Sequence, residues 1–250
     1  MKKNKFFVLV FSVVCVGLCV VVAGLLSSVI TVSGGSVSAG TFSGFKVFAI
    51  SLGEFTSESS AQTLAQQTSQ KGGAGFVYES DNLYYVLASA YEEENDAKLV
   101  QKNLSEGGTT SKIIEIEVSQ PEFNGISSEE QKKSFLSALS QIKSTFVMLY
   151  DISISLDTGA TDETKAKIEI IAANGDLEVT LKKITRGESA IDGIYYQQIS
   201  NAYSEIEDIL NELKDYENIN GVSLSSKIKF GYLSIIDKAK DLVDLIDNKI

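Results

Sequence analysis

The stretch FAISLGEFTSESSA, residues 48–61, decides the fold, because YYVLASAYEEENDA, residues 84–97, says the same thing again 36 positions later. The offset is constant: Phe48 aligns with Tyr84, Ile50 with Val86, Leu52 with Ala88, Phe55 with Tyr91, Ala61 with Ala97, Leu64 with Val100 and Gly72 with Gly108. A fixed period means that one structural unit is used twice.

Each copy alternates apolar and polar residues, runs into hydroxyl or acidic residues, continues with apolar residues at helical spacing, and ends at glycine. Alternation predicts strands near 45–52, 74–79, 83–90 and 110–118. Ala61, Leu64, Ala65 and Thr68, then Ala97, Val100 and Leu104, predict two helices, each with one buried stripe. Thr56, Ser57 and Glu58 open the first and Glu92, Glu93 and Glu94 the second, as a helix N-terminus prefers. The order is β-α-β twice, with Ser80, Asp81 and Asn82 as the turn between halves. Helices apolar on one stripe cover one face of a sheet and leave the other open. Phe48, Ile50, Leu52, Tyr84, Val86, Ala88, Ile114 and Ile116 are expected toward the helices. Ala49, Ser51, Leu83, Tyr85, Leu87, Ser89, Ile113 and Glu115 are expected on the uncovered side.

Upstream, residues 6–30 form an uncharged apolar run long enough to cross a bilayer core of about 30 Å. Lys2, Lys3 and Lys5 precede it and no basic residue follows until Lys46, so the positive-inside bias predicts a cytoplasmic tail over 1–5 and everything after residue 30 outside the membrane. A cleaved signal is the rival, with VSA at 37–39 as its cleavage site; the length of the apolar run favours an uncleaved, single-pass anchor. Cys15 and Cys19 lie one turn apart inside it, fit to pack as small residues, to pair two anchors or to carry a lipid. Residues 31–44, rich in glycine and serine, make a flexible linker. At no more than about 3.5 Å per residue it reaches under about 50 Å.

Downstream, the only proline, Pro121, marks a boundary. Beyond it Phe135, Leu139, Ile142, Phe146 and Leu149 step at heptad-like spacing. Tyr195, Ile199, Ala202, Ile206, Ile209, Leu213 and Tyr216 repeat the pattern, as do Ile228, Tyr232, Ile235, Ala239, Leu242 and Ile246. Such seams predict a helical bundle or coiled-coil region over 125–250, packed on itself, on a second copy or on a protein partner. Residues 161–186 read either as a fourth, bent helix or as a hairpin around Asn174-Gly175, the helix being favoured because a lone hairpin is marginal.

Composition removes whole classes of function. The chain has no histidine, which excludes Ser-His-Asp and Cys-His catalysis and the usual zinc sites. Three of its 22 basic residues precede the apolar run, leaving 19 against 33 acidic ones in the exported part, so a nucleic-acid partner is not expected. Acidic pairs such as Glu205 with Asp208 and Asp244 with Asp247 have the composition of a glycosidase pair. Their place on repetitive helix surfaces reads as a solvated face, so no enzyme, catalytic residue, metal or cofactor is expected.

The repeated phrase, carried by Ile50, Leu52, Gly53, Phe55 and Ala61 and then by Val86, Ala88, Tyr91 and Ala97, resembles the SPOR domain, the sporulation-related repeat of bacterial envelope proteins. The match covers about residues 45–118. The resemblance implies an α+β fold with a four-stranded antiparallel sheet and two helices on one face. It also implies that the bare face binds peptidoglycan glycan strands at division or sporulation septa. Carried over position by position, Ser51 falls where a glutamine is common, Glu54 where a small hydroxyl is common, and Leu83, Tyr85 and Ile113 on the other sheet positions. On physical grounds Tyr85 offers a ring to a sugar face, with Leu87 beside it and Ser51 and Ser89 flanking. The expected function is a membrane-anchored, extracytoplasmic glycan-binding protein with a helical partner region. The alternative is an oligomerising helical scaffold in which the sheet domain is a spacer.

Overall fold

A computed structural model of the protein describes residues 42–124, 126, 128–186, 193–218 and 220–247. The apolar run of 6–30, its two cysteines and most of the linker lie outside the described residues. Among the described residues no helix is long and apolar enough to cross a membrane.

The duplicated unit folds in the predicted order, as β1 (Phe45–Phe55), α1 (Glu58–Gln70), β2 (Phe76–Ser80), β3 (Leu83–Tyr91), α2 (Glu94–Glu106) and β4 (Lys112–Val118). All pairings are antiparallel and the strand order is β2-β3-β1-β4. The two helices start and stop alike. Each has an acidic first turn, which suits the positive end of its dipole. Each ends where a glycine, Gly72 or Gly108, takes a left-handed φ of 93° or 79° and turns its N–H back to the carbonyl of Ser69 or Ser105. Gly53 answers to a different need: a Cβ there would meet Leu64 Cδ2 at 2.7 Å and the Phe55 ring at 2.8 Å.

Four further helices follow, α3 (Glu129–Asp157), α4 (Glu163–Arg186), α5 (Gly193–Lys214) and α6 (Leu224–Asp247). They form a bundle in which α3 touches α4 and α6, and α5 touches the same two. The heptad-spaced residues of α3 and α6 are all buried, so those seams are consumed within the chain. Ile199, Ala202, Ile206 and Leu213 of α5 are buried as well. The hairpin alternative for 161–186 fails. One helix runs through Asn174-Gly175, because Ala166, Ile170, Ala173 and Leu177 bury a stripe at 4, 3 and 4 spacing and Asn174 donates to Asn211 Oδ1 at 3.1 Å. That burial outweighs the roughly 1 kcal/mol that a mid-helix glycine costs relative to alanine.

The main correction concerns the second face of the sheet. It is not bare: Val47, Ala49, Leu87, Ala90, Ile116 and Val118 share one continuous core with the bundle. Phe45 stacks on Phe146 of α3 with ring centroids 5.5 Å apart. The Ala90 N–H donates to the Tyr232 hydroxyl of α6 at 3.0 Å. An alternating strand announces two faces and cannot say which later segment will cover the second.

Candidate functional site

Pairing sorts the expected site residues onto different faces. Strand partners lie on the same face of a sheet. Ile50 faces the repeat helices and pairs with Ile113, while Ala49 pairs with Ile114 and Val47 with Ile116. The expected parity of β4 is therefore inverted: Ile113 packs under α2, whereas Ile114 and Ile116 face the bundle.

β3 switches parity partway along. Its register against β1 shifts between Ile50 and Ser51, so that Ser51 pairs with Leu87 but Ile50 with Ser89, leaving Ala88 as the extra residue. Ser89 thus joins the helix-covered side, where its hydroxyl donates to the Tyr91 hydroxyl at 3.2 Å. Leu87 stays on the bundle side and has no exposed surface. Ser51 is buried too, and its hydroxyl donates to the Gly53 carbonyl at 2.9 Å. Four of the expected ligand residues, Ser51, Leu87, Ser89 and Ile113, are therefore not on an open sheet face.

Three remain together. A second register shift between Ser51 and Glu54 brings Glu54 opposite Tyr85, toward the C-terminal end of β1, where Tyr85 still packs against the edge of the shared core. Tyr85 and Leu83 are half-buried there and Glu54 is exposed. Tyr85 also pairs with Tyr78 of β2. The residue that the sequence reading missed is Lys112, whose ammonium donates to Glu54 Oε2 at 2.5 Å. This contact, first by the hydrogen bond and then by charge, raises the Lys112 pKa above its ordinary value. A signal did exist: Lys112 opens β4 opposite Ser51, but only the register reveals it. The surviving strip thus combines one aromatic ring, one aliphatic side chain and a surface ion pair able to give and to accept hydrogen bonds.

Three of the four residues in the acidic pairs are engaged structurally. Glu205 accepts from Lys238 at 2.8 Å, Asp244 from Lys240 at 2.8 Å, and Asp247 Oδ1 from the Glu122 N–H at 2.7 Å.

Residues 44–115 match the SPOR domain family. Among solved structures, the solution structure of the peptidoglycan binding domain of the B. subtilis cell wall lytic enzyme CwlC is similar at 24% identity, over 30% of this chain and 92% of that one, with a TM-score of 0.25. No curated protein matches the chain.

Proposed function

We propose, with the SPOR match over residues 44–115 as the premise, that this protein binds peptidoglycan glycan strands without covalent chemistry. The family match carries the reading. It is supported by a strip in which Tyr85 supplies a ring for a sugar face and the Lys112–Glu54 pair supplies polar partners for hydroxyl and acetamido groups. In this reading the site is the strip of Glu54, Leu83, Tyr85 and Lys112, whose side chains are exposed or half-buried, and the apolar run of 6–30 anchors the molecule in the membrane beside division or sporulation septa.

Cosedimentation of the full chain with purified sacculi tests it. Tyr85→Ala should weaken retention about ten-fold, as losing one stacked aromatic contact would. Lys112→Glu, which puts a carboxylate beside Glu54 on an exposed position, should weaken it about three-fold. Retention indifferent to both substitutions would move the site elsewhere.

One observation favours a second reading: the sheet shares its core with the bundle. That arrangement suits a scaffold in which the SPOR-like part is a spacer. Failure of the unmutated chain to bind sacculi at all would select it.

A further inference from the structure

The helix-covered face of the sheet is incompletely filled. Between α1 and α2 lies a cleft of about 600 Å³, within the range of pockets that enclose small organic ligands. Ile50 and Leu52 of β1 line its floor, and Leu64 of α1 with Val100 and Leu104 of α2 line its sides. All five are aliphatic. The bundle contributes a polar end, where Asp157 of α3 and Lys229 of α6 form a largely buried ion pair at 2.6 Å. Lys229 also donates to the Gly72 carbonyl at 3.0 Å.

A second feature points to a ligand. Thr68 lines the cleft, is 4% exposed, and its hydroxyl has no hydrogen-bond partner among the described residues. A helical threonine ordinarily returns its hydroxyl to the carbonyl four residues back, as Thr63 of the same helix does to Ser59 at 3.1 Å. A buried hydroxyl left unmatched is costly, so a partner supplied from within the cleft would be favoured.

The lining also selects the ligand's charge. Asp157 and Lys229 neutralise each other, and Lys71 stands at the exposed rim. Burial, then the neighbouring Tyr91, Asp96, Glu92 and Asp151, push the Tyr150 hydroxyl well above its ordinary pKa, the mark of a wall hostile to added negative charge. Anionic head groups are disfavoured on that side. A floor of branched aliphatic side chains suits a hydrocarbon chain better than a sugar ring, which needs hydrogen-bond partners around its edge.

We propose that this cleft is a binding site for a neutral amphiphile, with its hydrocarbon chain along Ile50, Leu52, Leu64, Val100 and Leu104 and an uncharged hydroxyl, ester or amide head group bonded to Thr68. The site is built jointly by the repeat and the bundle. It does not rest on the glycan reading.

The test is photo-crosslinking of the full chain, reconstituted in phosphatidylcholine vesicles, with a diazirine-bearing monoacylglycerol and with the matched diazirine fatty acid, followed by peptide mapping. The expected result is labelling of residues 61–73 and 88–109 by the monoacylglycerol and at least about ten-fold less by the ionised fatty acid. Leu64→Trp, which fills the cleft, should abolish that labelling. Thr68→Val keeps the shape and removes only the hydroxyl, so it should weaken labelling about five-fold; it remains decisive should Leu64→Trp fail to fold. Equal labelling by the fatty acid overturns the neutral head group. Labelling confined to other segments, or unchanged by both substitutions, overturns the site.

Discussion

The two faces of the sheet are packed by different means. The face under α1 and α2 rests on alanines, Ala61, Ala65 and Ala97, in two small apolar clusters separated by a cleft. The opposite face, under α3 and α6, joins rings and branched side chains into the core that runs through the whole bundle. Both helix pairs are amphipathic. What differs is side-chain size: small residues bring helices close but leave little volume to fill the gap between them, whereas the stacked rings of Phe45 and Phe146 fill theirs.

The sharpest way to break this contrast is Phe146→Ala. Phe146 is 1% exposed and its ring meets those of Phe45, Tyr150 and Tyr232, so its loss should cost about 3–5 kcal/mol. Because the core is shared, circular dichroism and tyrosine fluorescence in a denaturant titration should report one coincident transition, shifted together. Two separated transitions would show the faces to be independent.

Matched truncations sharpen the comparison. Leu87→Ala on the bundle side, where the residue is fully enclosed, should cost about 3–4 kcal/mol. Leu104→Ala should cost about 2 kcal/mol, because Leu104 borders a cleft already present and its loss opens little new enclosed space. Equal losses would mean that the cleft side is packed as tightly as the other.

Tyr232→Phe should be smaller again, about 1–2 kcal/mol, since it leaves the Ala90 N–H without its acceptor while keeping the ring. Amide hydrogen exchange at Ala90 should accelerate in the same variant.

The smallest effect comes from Asp237 of α6. Burial, then Asp241, raise its pKa in the folded state above the ordinary carboxylate value. The folded protein therefore holds this proton more tightly than the unfolded chain. Its contribution to stability is full below the unfolded pKa and is lost as pH rises through the folded one. Asp237→Asn should flatten that pH dependence between the two values and change stability at neutral pH by no more than about 0.5 kcal/mol, read from thermal melts across a pH series.

Periodicity made the order of elements legible, because alternation and 3.6-residue spacing are local. Phe48, Ile50, Val86 and the terminating glycines were correctly placed for that reason. The destinations of Ser89 and Ile113 were not legible, since a bulge at Ala88 and the β1–β4 register depend on pairings between residues 36 or more positions apart. Nor was the cover on the second face of β3, to which α6 contributes from near the far end of the chain. Of the candidate site residues, Glu54, Leu83 and Tyr85 lie together with exposed or half-buried side chains, because the second shift in the β1–β3 register sets Glu54 opposite Tyr85. Lys112 had to be found by its contact.

The late position of α6 in the chain also sets a timetable. α6 touches β2, β3, β4, α1, α3 and α5, yet it is translated after all of them. Until Leu224 and its successors emerge, a nascent sheet would present Val47, Ala49, Leu87 and Ile116 as a sticky, unshielded surface. A chain stopped before that point would thus be prone to aggregate, and delivering the whole polypeptide before it folds would avoid the hazard.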